Sequence, residues 1–218
     1  MDREKSYPRC SGAQMTLLFD EDSHTYTLAG TGGSYTIPSV SQVLKKAGLY
    51  DYPQNEAATV RMNYGTHIHK LTHLFDQKVL APSEVLGKDR AYLESYERFV
   101  KEAGFIPQIN EQRYHHRLYL YAGTIDKVGT IMHPDYAGRF QVEVKTGAPH
   151  PANRVQVAAY HRMLEDNGEK LDGSILLYLS EASYRMFEVS PLDCEFDVFL
   201  SALTLNRWKE AHKIGQRT

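Results

Sequence analysis

Glu143 and Lys145 stand two residues apart in Gln141-Val142-Glu143-Val144-Lys145, where polar and apolar side chains alternate. Successive side chains of a β-strand point to opposite faces, so this spacing sets a carboxylate and an ammonium side by side, with the two valines on the other face. Such a pair can act as a metal ligand and a water-positioning group. A second carboxylate comes from Asp126 in Gly123-Thr124-Ile125-Asp126, which reads as a neighbouring strand. Hard divalent cations such as Mg²⁺ take carboxylate oxygens plus water, commonly one or two carboxylates together with substrate phosphate oxygens. A cation so held would polarise a phosphodiester, generate or orient a hydroxide, and stabilise the leaving oxygen. Lys145 could then position or deprotonate the attacking water, a role open to a lysine whose pKa is lowered by its surroundings. The plainer reading is an ion pair between Glu143 and Lys145, with Asp126 capping a turn.

These side chains need elements to position them. Leu17–Phe19, His24–Leu28 and Ser34–Ile37 read as short strands separated by turn-forming segments, a hairpin or three-stranded meander. Ser39 is placed to cap a short helix running to Lys46, with Gly48 ending it. A helix is expected from Glu56 to about Gln77, with Gly65 interrupting its pattern. A second is expected from Ser83 to about Ala103, stopping at Gly104 and carrying Tyr92, Leu93, Tyr96, Phe99 and Val100 at helical spacing. The centre reads as strands at about Ile109–Tyr121, Gly123–Met132 and Arg139–Lys145, the last two joined by turn chemistry around Pro134 and Gly138. A helix from about Asn153 to Asn167, strands Ser174–Leu179 and Tyr184–Val189, and a helix Leu192–Ile214 complete the chain. The expected class is α/β, with a central mixed sheet flanked by helices behind an N-terminal hairpin or meander.

The chain has 218 residues and a formal net charge of −2, with 42% hydrophobic and 24% charged residues. One domain over 1–218 is expected: a flexible stretch 1–16, the hairpin and short helix over 17–50, and the core over 56–214. No apolar run approaches the ~20 residues of a membrane span, and no signal-peptide core follows the charged first residues. A cytoplasmic location is the expectation. Two cysteines, Cys10 and Cys194, are too few for a four-cysteine zinc site or an iron–sulfur cluster. The small net charge does not announce a nucleic-acid binder, although a local basic groove or bound cations can supply the attraction.

Two further segments sharpen the reading. Gly65 precedes His69 by four residues on the first long helix, and Gln156 and Tyr160 share one face of the helix after Lys145. In order and spacing, Gly-x-x-x-His, Gly-x-x-Asp, Glu-x-Lys and Gln-x-x-x-Tyr resemble the RecB-like branch of the PD-(D/E)XK nuclease superfamily. That branch includes phage exonucleases and the mitochondrial genome maintenance exonuclease. The motifs span Gly65 to Tyr160, and Phe19-Asp20-Glu21-Asp22 … Tyr26 … Ile37-Pro38-Ser39-Val40 is similar to the N-terminus of phage-type members.

The resemblance implies a restriction-endonuclease-like core and a Mg²⁺- or Mn²⁺-dependent deoxyribonuclease. It matches Asp126 and Glu143 to acidic metal ligands, the Val144 carbonyl to a further ligand, Lys145 to the catalytic lysine and His69 to a histidine that approaches the metal. Gln156 and Tyr160 match residues that support the site and touch nucleic acid, and Glu111 stands where related nucleases often have a glutamate. The proline of the superfamily's name is absent, since Thr124 and Ile125 precede Asp126, as is common in this branch. No iron–sulfur cluster is expected. The implied substrate is DNA, acted on at its ends, in the cytoplasm of a bacterial host by a phage- or prophage-encoded protein. A phage recombination partner or a homo-oligomer would suit such a protein, but no segment marks an assembly surface. The alternatives are an endonuclease on the same fold and a non-catalytic nucleic-acid-binding module.

Other residues offer weaker signals. His69 and His73 could clamp a transition metal from one helical face, but Lys70 and Leu71 stand where a zinc-peptidase helix would place its glutamate. His67 reads as a solvated or supporting group. His115 and His116, beside Arg113 and Arg117, could contact phosphates or line an ordinary exposed strand. Arg90, Arg98, Lys101, Arg113 and Arg117 are candidates for a phosphate-tracking groove. The tyrosines and phenylalanines, Tyr92, Tyr96, Phe99, Tyr119 and Tyr121 among them, read mainly as core, with some available to stack on unpaired bases.

Overall fold

Alternating side chains fold Thr16–Asp20 (β1), Thr25–Gly30 (β2) and Gly33–Ile37 (β3) into an antiparallel meander in that order. Tyr26, Leu28 and Ile37 pack with Leu120 and Ala122, so the meander lies against the edge of the central sheet. The structure, a computed structural model, describes residues 15–50, 55–181, 183–190 and 192–215. Of the N-terminal stretch expected to be flexible, residues 1–14, including Cys10, lie outside the described residues, whereas Thr16 already belongs to β1.

Helix α1 (Val40–Lys46) starts at Ser39, whose hydroxyl takes the Gln42 N–H while the Gln42 side chain takes the Ser39 N–H, a reciprocal capping box. Helix α2 (Glu56–Asp76) is capped by Asn55 and runs unbroken through Gly65. Gly65 is there for closeness: a Cβ would lie 3.2 Å from Thr146 Oγ1, just past the end of the Glu-x-Lys strand. Helix α3 (Gly87–Ala103) starts later than the expected Ser83, because Pro82–Glu84 form a separate 3₁₀ turn and Gly87, at φ 61°, redirects the chain. Gly104, left-handed at φ 60°, ends it as expected.

The central sheet has the order β4 (Ile106–His115), β5 (Ala122–Ile131), β6 (Gly138–Lys145), β7 (Gly173–Leu179), β8 (Tyr184–Glu188). Its pairs are antiparallel except β6–β7, which α4 (Pro151–Asp166) connects in parallel. Helix α5 (Asp193–Ala211) follows β8. The strand expected to reach Tyr121 stops at His115, because His116–Tyr121 close a tight turn with Leu120 at φ 50°.

Helices cover both faces of the sheet. Ile68 of α2 and Leu93, Tyr96 and Phe99 of α3 pack on Val142, Val144, Ile175 and Leu177. On the other face, Val43 and Leu44 of α1, Val155 and Ala159 of α4 and Phe199 of α5 enclose Ile125 and Val128. Strands enclosed on both sides should be apolar throughout, yet β6 carries Gln141, Glu143 and Lys145 on the α4 side. The class expected from the sequence, a mixed sheet between helices behind an N-terminal meander, is the one observed. Among the described residues, no helix is long and apolar enough to cross a membrane.

Candidate active site

The β5–β6 ladder runs from Ile131↔Gly138 to Lys127↔Val142 and ends there, while β6 stays paired with β7 as far as Lys145↔Tyr178. The far end of β5 turns to the N-terminal segment instead, where Ala122 donates to the Pro38 carbonyl at 2.9 Å. Asp126 lies where this ladder fails. Its Oδ2 takes the N–H of Val144 at 2.9 Å, so a side chain satisfies a backbone donor of β6. Its other oxygen is 3.2 Å from His69 Nδ1 on α2, and Glu111 Oε1 on β4 lies 3.8 Å from the same nitrogen. His69, Glu111 and Asp126 thus offer one nitrogen and two carboxylate oxygens within 4.8 Å of one another.

Glu111 is aimed by unusual backbone. It sits at φ 49° inside β4, opposite Asp126 in the register set by Asn110↔Lys127 and Gln112↔Ile125. A left-handed residue with a long side chain costs about 1–3 kcal/mol and persists only where its surroundings hold it.

Behind this cluster, Glu143 is 2% exposed. Its Oε1 takes a hydrogen bond from Lys145 Nζ at 2.8 Å, while its Oε2 is buried with no partner. Lys145 also donates to Gln156 Oε1 at 2.9 Å, and Gln156 Nε2 donates to the Tyr160 hydroxyl at 3.3 Å. Gly123 explains how Tyr160 comes so close: a Cβ at that glycine would collide with the tyrosine ring. The glycines of Gly-x-x-x-His and Gly-x-x-Asp therefore serve close approach, one to Thr146 and the other to Tyr160.

Charge in the site is unbalanced. Burial, then repulsion from Asp126, pushes the Glu143 carboxyl up to about 7, against the pull of Lys145 and His69. Burial also raises Asp126, but the His69 imidazole beside it, with Lys145 and the Val144 N–H, holds it below its ordinary value. Burial works against a charged His69, yet Asp126 and Glu111 outweigh it and bring the imidazole to about 10. For Lys145, burial is likewise outweighed by Glu143, Tyr50 and Asp126, so its pKa is raised. Of the two roles open to Lys145 in the sequence, deprotonating water would need a lowered pKa, and the carboxylate 2.8 Å away favours the ammonium instead.

The site residues chosen from sequence meet from five elements: His69 from α2, Glu111 from β4, Asp126 from β5, Glu143, Val144 and Lys145 from β6, and Gln156 and Tyr160 from α4. Sequence reading missed Tyr50, whose hydroxyl lies 2.8 Å from Gln156 Oε1 and 2.9 Å from Asn153 Oδ1, its single proton serving one at a time. Asn153, three residues before Gln156 on the same helix face, carried a signal; Tyr50, more than a hundred residues away, carried none. Tyr26, part of the N-terminal pattern, bonds Thr124 Oγ1 through its hydroxyl at 2.8 Å.

The secondary candidates are dispersed. His73 is not in the metal-sized cluster, and His67 bonds Asp89 at 2.7 Å away from it. His116 is buried against Tyr119, Tyr121 and Phe196 rather than presented on a strand face, because the turn folds it inward. Of the basic residues Arg90, Arg98, Lys101, Arg113 and Arg117, the four arginines are each engaged with a carboxylate, of Glu97, Glu102, Glu21 and Asp166 respectively.

No protein-family model matches the chain, and no curated protein matches it. Among solved structures, that of SSO0001 matches with 18% identity over 77% of this chain and 81% of that one, at a TM-score of 0.33. A likeness so distant carries no argument about the site.

Proposed function

We propose that this chain is a metal-dependent deoxyribonuclease that hydrolyses phosphodiester bonds, of the RecB-like kind its motifs resemble. The observation that carries the proposal is the buried, unpartnered Oε2 of Glu143 beside Lys145, next to the His69–Glu111–Asp126 cluster. A buried carboxylate oxygen without a donor is costly, and a metal cation that displaced the His69 proton would supply its partner. The donors fit a hard divalent ion: carboxylate oxygens suit Mg²⁺ and Mn²⁺, and one imidazole is compatible with Mn²⁺. His69, Glu111, Asp126 and Glu143 would hold it, with the Val144 carbonyl as the resemblance implies. Bound there, the ion would lower the pKa of water and stabilise charge on the phosphoryl oxygens.

The chain's own groups supply the rest. Lys145, whose ammonium Glu143 favours, acts as a donor: it orients the attacking water and stabilises the charge that builds on the phosphate. Gln156 holds that ammonium in place, and Tyr160 and Tyr50 hold Gln156. The Asp126 carboxylate fixes the Val144 backbone, and through it the direction of Glu143 and Lys145.

DNA as substrate, attack at ends and a bacterial cytoplasmic setting rest on the motif resemblance. Digestion of end-labelled linear DNA beside a covalently closed circle, with Mn²⁺ and with EDTA, tests both chemistry and mode. Degradation of the linear form alone, stopped by EDTA, is the expected result. Cutting of the circle would replace the exonuclease with an endonuclease, and no metal-dependent cleavage of either would overturn the proposal.

A further inference from the structure

A second ion pair lies beneath the site. Lys127 Nζ is 2.6 Å from Asp76 Oδ2, and both side chains are 1% exposed. Lys127 also donates to Asn110 Oδ1 at 3.0 Å and stands 5.0 Å above the centre of the Tyr96 ring, while the Tyr96 hydroxyl lies 2.9 Å from both Asp76 oxygens. A buried pair of this kind is an expensive way to gain stability, since well-packed apolar residues of similar volume often serve as well or better. Its position offers another reason for it.

Asp76 is on α2, seven residues beyond His69. Asn110 is on β4, next to Glu111. Lys127 is on β5, next to Asp126. Each partner thus sits on an element that also carries one member of the His69–Glu111–Asp126 cluster. Consecutive residues of a regular strand point to opposite faces, yet Asp126 and Lys127 both reach α2, through His69 and Asp76. Ile125 and Val128, on either side of them, both pack in the core under α4. Alternation breaks on β5 at the position where Glu111 takes φ 49° on β4.

We propose that Lys127 is a positioning residue for the cation cluster: its ammonium ties α2, β4 and β5 together and so holds His69, Glu111 and Asp126 at ligating distance. This rests on the reading of the cluster as a divalent-cation site. Groups that orient metal ligands without touching the metal typically carry about 10- to 100-fold in metal affinity.

The test replaces the pair as a unit, Asp76→Leu with Lys127→Met, so that no charge is left unpaired. A milder second variant, Asn110→Ala, unties β4 alone. Mn²⁺ affinity by titration calorimetry and Tm by circular dichroism are measured for both, with Asp126→Ala as reference. The expected result is Mn²⁺ binding weakened about 10- to 100-fold in the double variant at an unchanged or higher Tm, with a smaller weakening in Asn110→Ala. If the double variant does not fold, Asn110→Ala decides. Wild-type Mn²⁺ affinity in a folded double variant, or in Asn110→Ala where that variant decides, overturns the positioning role while Asp126→Ala loses binding. If Asp126→Ala itself binds Mn²⁺ like the wild type, the cation site is what fails.

Discussion

Two buried lysine–carboxylate pairs are anchored on this sheet, and they differ in whether they are finished. Lys127–Asp76 is closed: both side chains are 1% exposed, and Tyr96 and Asn110 take up remaining donors and acceptors. Lys145–Glu143 is open: the lysine side chain is 21% exposed, and one oxygen of the carboxylate has no partner although it is buried. A polar group withdrawn from water without a partner is a cost that a purely structural pair would avoid, as the closed pair does. The contrast matches the roles proposed for them, a brace for the closed pair and a reactive group for the open one.

The largest expected effects come from breaking each pair on one side. Lys145→Ala should lower cleavage about 10²- to 10⁴-fold, the range for losing a positioned proton-transfer or charge-stabilising group, with Mn²⁺ binding largely retained. It should destabilise the fold little, because Glu143, with its pKa already at about 7, can take up a proton. Lys127→Ala should do the reverse to stability, costing about 3–5 kcal/mol by leaving the Asp76 side chain without its partner in a closed interior. Equal losses of stability in urea titrations of the two variants would erase the distinction.

The pH dependence of stability probes the open pair next. Glu143 rises from an ordinary 4.5 when unfolded to about 7 when folded, so the native state binds the extra proton. Its contribution is full below about 4.5 and is lost as pH rises toward 7, a loss on the order of 3 kcal/mol for a shift of this size. Glu143→Gln should flatten that fall in Tm between pH 4.5 and 7, and Mn²⁺ should flatten it in the wild type by favouring the ionised carboxyl. Smaller again is Gly123→Ala, whose methyl would force Tyr160 away from Gln156; a loss of about 1–3 kcal/mol is expected, read as a lower urea midpoint.

Local patterning carried much of the fold. The meander was legible in turn residues between short apolar runs, and α1 in the Ser39 cap, because both are written within a few residues of sequence. The start of α3 was not, since Pro82 begins a 3₁₀ turn that mimics a helix start and Gly87 alone marks the break. The end of β4 was hidden for a similar reason: His116–Tyr121 carry the leucines and tyrosines common in strands but close on themselves. In the site, residues bound by fixed spacing, Glu143 with Lys145 and Gln156 with Tyr160, could be paired from sequence. How strongly burial opposes the Lys145 charge, and the part Tyr50 and Asp126 play in offsetting it, could not be read from it, because both residues come from segments distant in sequence. The same holds for Lys127, whose partners Asp76 and Asn110 come from α2 and β4.

The most direct test of the central claim compares wild type with Asp126→Asn in digesting end-labelled linear DNA with Mn²⁺, each with and without EDTA. Asp126 joins His69 and Glu111 to the β6 backbone, so its amide should abolish label release while the fold, checked by circular dichroism, persists. Loss of label from the wild type alone, and only without EDTA, is the predicted result. Label release that continues in EDTA, or at a wild-type rate in Asp126→Asn, would contradict it.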